Sequence, residues 1–386
     1  MQIANRMEMI TPFYVMELLR RAKELEAEGR DIIHMEIGEP TLPTPELITQ
    51  AGIEYVAQGQ VKYTPAAGLL ELRQKIADFY WQRYKVLVPA ERIFITPGAS
   101  GAFLLALGVS LNAGDEVLLS DPCYPCNQNF IRLFDGEVKK IPVYAETDYQ
   151  LSAKLIQQNW SDKSCAAVVA SPSNPTGTII ARDELKKLIA AIESKQGVLF
   201  SDEIYHGLVY EEGIASVLEF TDQAFVINSF SKFFGMTGWR AGWLVVPEIY
   251  IEAAEKLAQN IFISTASHSQ YAALAAFEEE TLQELEIRRQ GFAQKRDFLY
   301  AELIRLGFKV PVKPAGAFYI YADCSAFTQD SQQFAQQLLE EQGVAVTPGK
   351  DFGCNESDKY IRFSYTTTRE RIAEAMQRLE QYLINL

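Results

Sequence analysis

The sequence predicts an α/β protein. Its larger part is a mainly parallel seven-stranded sheet covered by helices, and a smaller α+β part is formed by the C-terminal stretch together with an N-terminal arm. Three observations carry this expectation. Seven short β-rich apolar runs, at 92–96, 116–120, 138–143, 166–171, 198–201, 225–228 and 242–246, alternate with helical patterns. Continuous apolar runs separated by helices are what a parallel sheet buried on both faces requires. Beyond residue 280 strand-like and helix-like segments follow in mixed order, and 386 residues exceed the ~150 of an average domain by enough to expect two.

In chain order, residues 1–44 form an arm, with a helical pattern at 12–28 and a short strand at 32–37 that ends on Gly38-Glu39-Pro40. Residues 45–280 hold the seven runs and make the large domain. Residues 281–386 make the small domain: a charged helix at 282–306, a strand at 316–322, a helix at 331–342, strands at 344–347 and 360–364, and a final helix from Arg369. No Pro/Gly/Ser tether separates the parts, so the arm is expected to complete the small domain. Residues 343–350 imitate a phosphate loop, but five residues separate Gly343 from Gly349 and Asp351 follows Lys350, so this is read as a turn.

Composition narrows the function. Hydrophobic residues at 48% and charged residues at 22% describe an ordinary globular protein, and a net charge of −14 repels phosphate backbones and anionic lipid. Neither nucleic acid nor membrane is expected as a partner. No apolar stretch reaches the ~18 residues of a membrane span, and Asn5, Arg6 and Glu8 occupy the place of a signal peptide's apolar region, so a cytoplasmic location is expected. Cys123 and Cys126 form a CxxC, yet with three histidines and the other cysteines scattered singly no second half-site exists, and no metal is expected.

In an open α/β sheet, ligands bind where strand carboxyl ends converge. Four such ends combine unlike polar groups. The run at 92–96 enters Pro97-Gly98-Ala99-Ser100-Gly101, whose small residues let backbone amides approach an anion at a new helix N-terminus. The run at 166–171 enters a turn in which Asn174 sits between two prolines, although a turn asparagine is ordinarily only that. The run at 198–201 is followed by Asp202-Glu203-Ile204-Tyr205, where a buried carboxylate needs a cationic partner unless Asp202 simply caps a helix. The run at 225–228 leads to Ser229-Phe230-Ser231-Lys232 and on to Gly238-Trp239-Arg240. Apolar flanks can lower the pKa of Lys232, though such lysines often reach out to solvent, while Ser229, Ser231 and Arg240 suit a phosphate. A phosphate cradle, an aldehyde-trapping amine, a carboxylate for a pyridinium and an amide with a phenol for a ring oxygen are the contacts of pyridoxal phosphate.

With these residues the sequence resembles the class I aminotransferases, which are fold type I pyridoxal phosphate enzymes. The resemblance runs from Gly38-Glu-Pro through Tyr63, Asn174-Pro-Thr-Gly, Asp202-Glu-Ile-Tyr205, the lysine block, Gly316-Ala-Phe-Tyr319 and Arg362. It implies transfer of an amino group between an L-amino acid and a 2-oxo acid in two half-reactions. Lys232 would form the Schiff base and shuttle the proton, Asp202 would keep the pyridine nitrogen protonated, and Asn174 and Tyr205 would bond the ring oxygen. Ala99, Ser100, Ser229, Ser231 and Arg240 would hold the phosphate, with Tyr124 stacked on the ring. Arg362, Asn174 and the Gly38 backbone would bind the substrate α-carboxylate. Tyr63 would reach the phosphate of a neighbouring subunit, which implies a homodimer.

One departure is Asn127, where many relatives carry a second aromatic. The substrate side chain stays open: Arg6, Arg288 or Arg289 could meet a second carboxylate, and Phe13, Tyr14 and Phe262 could line an apolar pocket. Two other chemistries compete. A β-eliminating carbon–sulfur lyase would use the same cofactor contacts, and Ser229-Phe-Ser-Lys232 also fits the S-x-x-K pattern of acyl-serine hydrolases.

Overall fold

The computed structural model describes residues 3–10, 12–211 and 213–386. Its central sheet joins seven strands: β2 (Ile93–Thr96), β3 (Glu116–Asp121), β4 (Glu137–Pro142), β5 (Ser164–Ala170), β6 (Val198–Asp202), β7 (Phe225–Ser229) and β8 (Gly242–Val245). A further strand, β1 (Ile33–His34), precedes them in the arm. The spatial order is β2-β8-β7-β6-β5-β3-β4, and β8 alone runs antiparallel to its neighbours β2 and β7. The other pairings are parallel. Apolar runs announce buried strands without stating their direction, so the reversal of β8 was not readable from composition.

Both faces of the sheet are covered, which is why these strands read as continuous apolar runs. On β2, Ile93 and Ile95 join one core cluster while Phe94 joins the other; on β6, Leu199 and Phe200 divide in the same way. Side chains alternate across a strand, so each strand feeds two cores, and a fully buried Phe200 or Phe225 contributes about 1.5–3 kcal/mol. Helix α4 (Gly98–Ser110) covers one face with Ala102, Phe103, Leu105 and Ala106. Its predecessors in the chain are α1 (Tyr14–Ala27), α2 (Glu46–Ala57) and α3 (Leu70–Tyr84).

Beyond the long helix Glu279–Arg305, strands β9 (Tyr319–Asp323), β10 (Val344–Ala345), β11 (Thr347–Pro348) and β12 (Tyr360–Ser364) form two small sheets. One is antiparallel in the order β11-β12-β9; in the other, β1 pairs in parallel with β10, Ile33 opposite Val344. Leu18, Ala22 and Leu25 of α1 pack with Ile32, Leu339 and Ala345. The helix Ser331–Gln342 is capped by the Asp330 carboxylate, which accepts from the amides of Gln332 and Gln333, and ends at Gly343 with φ +66°. Gly343 is therefore a helix terminator in the imitation phosphate loop.

Several boundaries move. The strand expected at 316–322 begins at Tyr319, because Ala317 at φ +59° makes a turn before it. The run at 344–347 breaks into two strands that belong to different sheets.

Candidate functional site

The carboxyl ends of β2, β5, β6 and β7 share one edge of the sheet, and the small sheets stand over that edge. Between them lies a cavity of about 370 Å³ whose lining includes Gly38, Ala99, Ser100, Tyr124, Asn174, Asp202, Tyr205, Ser229, Ser231, Lys232, Arg240 and Arg362. Of the expected site residues only Tyr63 lies outside; it is 81% exposed.

The anion cradle is built by close backbone approach. Gly98 stands at φ +68°, and a Cβ there would lie 2.6 Å from Arg240 Nη2. A Cβ on Gly242 would lie 2.7 Å from the Gly98 carbonyl carbon. Only glycine fits either place. No side chain caps the N-terminus of α4, so its first amides are left for a ligand. Ser229 Oγ donates to Ser231 Oγ at 2.9 Å and lies 3.1 Å from the Ala241 carbonyl oxygen. Arg240, held at φ +54°, donates to Thr237 O at 3.0 Å beside Ser231. A left-handed arginine costs about 1–3 kcal/mol, a strain characteristic of ligand clamps.

Asp202 ends β6 with 7% exposure, and burial pushes its carboxyl up to about 7. Its Oδ1 accepts from Ile204 N at 3.1 Å, which closes a turn rather than capping an α-helix. Lys232 is half-buried, and its side chain turns into the cavity. Burial brings its amine down to about 8, and Nζ donates to Gly38 O at 2.7 Å with the Phe318 ring 5.6 Å away. Tyr124 meets Phe13 edge to face at 6.3 Å.

Arg362, 4% exposed on β12, donates through Nη1 to Asn174 Oδ1 at 2.9 Å. Nη2 donates to Thr347 Oγ1 at 3.2 Å and to Glu36 O. The guanidinium carbon lies 4.3 Å from the Tyr319 ring centre and 4.8 Å from that of Phe352, while Nε has no partner. A buried, clamped guanidinium with a donor to spare suits a carboxylate.

Sequence reasoning missed Tyr319, Thr347 and Glu36, and it missed Val15, Met16 and Leu19 of α1, which wall the cavity with Phe13, Ile37, Phe103 and Phe130. Tyr319 stood in a recognised motif without a role; the α1 residues gave only a core-like helical pattern. Phe13 lines the cavity as expected. Tyr14 faces a separate depression beside Arg21 and Gln332, and Phe262 packs in the core beneath α4. Arg6 donates to Leu133 O, Arg288 to Pro43 O and Arg289 to Val209 O and Glu286, so none of the three candidate cations lines the cavity.

The acyl-serine reading loses its geometry. Ser229 Oγ donates to Ser231 while Lys232 Nζ donates to Gly38 O, so neither is bonded to the other as an acyl-serine site requires. Cys123 is buried with its thiol pushed up to about 12, Cys126 is raised as well, and both are free. Among the described residues no group of three or more His, Cys, Asp and Glu side chains could hold a metal ion.

The sequence pattern described as "Aminotransferase class I and II" matches residues 30–379. The chain is 38% identical to the (5-formylfuran-3-yl)methyl phosphate transaminase of Methanocaldococcus jannaschii, over 99% of each chain. It is 36% identical to the valine–pyruvate aminotransferase of Mycobacterium tuberculosis, over 97% of each. A crystal structure of an aminotransferase from Mycobacterium tuberculosis superposes with a TM-score of 0.97 at 36% identity, covering 100% of both chains. The fold and site thus define a fold type I enzyme, in a family that works with pyridoxal phosphate. The chain belongs to the class I aminotransferases, and neither the lyase nor the hydrolase reading is supported.

Proposed function

We propose that this aminotransferase carries pyridoxal phosphate in the cavity on Lys232, and that its substrates are monocarboxylic amino and 2-oxo acids with apolar side chains. The observation that carries the substrate reading is the inventory of cavity cations. Among the described residues, Lys232, Arg240 and Arg362 are the lysine and arginine side chains lining it and each has a task; Phe13, Val15, Met16, Leu19, Ile37, Phe103 and Phe130 give the wall an apolar stretch, and Glu36 and Glu39 add negative charge that disfavours a further carboxylate. A distal carboxylate would be desolvated there without a partner, a penalty of several kcal/mol, whereas each buried methylene gains about 0.8 kcal/mol. The relative named for valine and pyruvate points the same way.

The cofactor, when bound, supplies an aldehyde that takes the amino group and a ring that accepts the electrons of the Cα–H bond. The chain's residues do the rest. The α4 amides at Ala99 and Ser100, the hydroxyls of Ser229 and Ser231, and Arg240 hold the phosphate. The Gly98 cradle and the uncapped helix end fit a dianion. Asp202 holds a proton on the ring nitrogen, since a carboxylate pushed up to about 7 by burial is relieved by a cationic partner. Tyr124 packs on the ring. Asn174 gives its oxygen to Arg362 and keeps its amide hydrogens for the ring oxygen, beside Tyr205. Arg362 orients the substrate by its α-carboxylate, assisted by Asn174 and the Gly38 backbone. Lys232, with an amine near 8, is uncharged often enough at neutral pH to take the proton from Cα and return it.

Three further parts of the reading go with this. Residues 1–44 and 281–386 form one unit facing a large domain at 45–280, as the β1–β10 pairing supports. The protein is a homodimer in which Tyr63 reaches the neighbouring phosphate, as the exposed Ile53, Val56, Val61 and Tyr63 support. It is cytoplasmic, as five free cysteines support. No helix of the described residues is long and apolar enough to cross a membrane. The test is a donor panel with pyruvate as acceptor. Valine, leucine, phenylalanine and alanine are expected to exceed aspartate and glutamate in kcat/KM by about tenfold or more; activity led by aspartate overturns the apolar reading.

A further inference from the structure

Tyr319 joins two parts of the site that the sequence treats separately. Its hydroxyl is 2.9 Å from the hydroxyl of Tyr205, and both side chains are buried. Its ring lies under the Arg362 guanidinium, 4.3 Å from ring centre to carbon. The same hydroxyl fills the space a side chain at position 38 would need, since a Cβ on Gly38 would overlap it. Gly38 in turn offers its carbonyl to Lys232 Nζ at 2.7 Å. One phenol therefore touches the group facing the ring oxygen, the group facing the substrate carboxylate, and the backbone that holds the reactive amine.

We propose that Tyr319 is a positioning residue with two separable parts, its hydroxyl setting the Tyr205 hydroxyl and its ring setting Arg362. The inference rests on the cofactor reading above. A hydroxyl has one proton to give. When Tyr205 donates to the ring oxygen of a bound cofactor, its bond with Tyr319 has to run the other way, Tyr319 donating and Tyr205 accepting. Burial raises both phenols, so both keep their protons through the neutral range and the direction is stable. Donation into Tyr205 makes it a stronger donor in turn. A stronger donor at the ring oxygen favours the form of the lysine-bound cofactor that lacks the imine proton. The ring acts on another atom: the Arg362 guanidinium carbon lies over the Tyr319 ring at 4.3 Å and over the Phe352 ring at 4.8 Å, contacts that use no N–H donor and leave those for a carboxylate.

Two variants separate these parts. Tyr319→Phe removes the hydroxyl and keeps the ring; Tyr319→Leu removes both. The readouts are the pH midpoint of the visible absorption band of the pyridoxal phosphate-loaded enzyme, and the dissociation constant of 3-phenylpropionate, a carboxylate with no amine to react. Tyr319→Phe is expected to raise the midpoint by about 0.5–1 pH unit, the worth of one hydrogen bond, and to leave 3-phenylpropionate within about twofold. Tyr319→Leu is expected to raise the midpoint similarly and to weaken 3-phenylpropionate by about tenfold. A Tyr319→Phe midpoint equal to that of the parent overturns the hydroxyl's role, and unchanged carboxylate binding in folded Tyr319→Leu overturns the ring's. If Tyr319→Leu does not fold, Tyr319→Met, which also lacks the ring, takes its place for the carboxylate readout on the same terms, and Tyr319→Phe decides the hydroxyl's role. A parent enzyme with no visible band refutes the cofactor reading instead, so the two failures are told apart.

Discussion

At the residue scale the site is a set of charges whose burial is costly until a ligand arrives. Asp202 is pushed up to about 7 and Lys232 down to about 8, and burial is the first cause for both. Such opposed shifts in one cavity mark a place where chemistry is arranged. Replacing Asp202→Asn is expected to lower kcat by about a hundredfold or more while the visible band persists, because phosphate and lysine still hold the cofactor. Stopped-flow half-reactions would measure this. Arg362→Lys keeps charge but loses the planar fork that meets Asn174, Thr347 and Glu36, so KM for every donor is expected to rise by about tenfold with a smaller change in kcat. Most of these residues were legible because each follows an apolar run at a strand end. Tyr319 and Thr347 were not, since their roles come from what lies across the cavity.

At the element scale, α1 is the part whose position the sequence could not give. Its helical pattern is plain, but its cap comes from far along the chain: Asp351 Oδ1 accepts from Tyr14 N at 2.9 Å. That bond holds Phe13, Val15, Met16 and Leu19 against the cavity. Asp351→Ala is expected to cost about 1 kcal/mol of stability, the worth of a cap, and to raise KM for leucine more than for alanine, since leucine uses more of that wall. A denaturant titration and a two-donor comparison check both parts.

The arm's second joint is pH-dependent. His34 lies between Glu36 Oε1 at 2.7 Å and Glu26 Oε1 at 3.0 Å, and its bond to Glu36 raises it above the usual histidine value. The folded state thus holds this proton more tightly than the unfolded state. The resulting stability is fully present below about 6.5 and is lost as pH rises through the folded value. His34→Gln is therefore expected to lower Tm relative to the parent at pH 6, with the difference shrinking towards pH 9. Strand direction, by contrast, was lost to sequence reasoning at β8 because a strand buried on both faces reads alike either way.

At the scale of the whole molecule, the large sheet supplies the side of the cavity with Asp202, Ser229, Ser231 and Lys232, proposed to hold the cofactor, and the arm with the small sheets supplies the side with Gly38 and Arg362, proposed to hold the carboxylate. Arg362 on β12 and Asn174 after β5 meet across that boundary. A dimer through the α2 face would add Tyr63 to the phosphate. Val56→Arg is expected to yield monomers by sedimentation that lose pyridoxal phosphate on dialysis, while the parent keeps it. The alternation of strands and helices made the layers legible. The cavity's apolar character was not, because Phe13 and the α1 residues meet Phe103 and Phe130 only in the folded chain. The central claim is the covalent seat of the cofactor, and reductive trapping addresses it most directly. Protein incubated with pyridoxal phosphate, reduced with borohydride, digested and sequenced by mass spectrometry is expected to carry one adduct, on Lys232, and Lys232→Ala to carry none; label spread over surface lysines, or retained by Lys232→Ala, would contradict it.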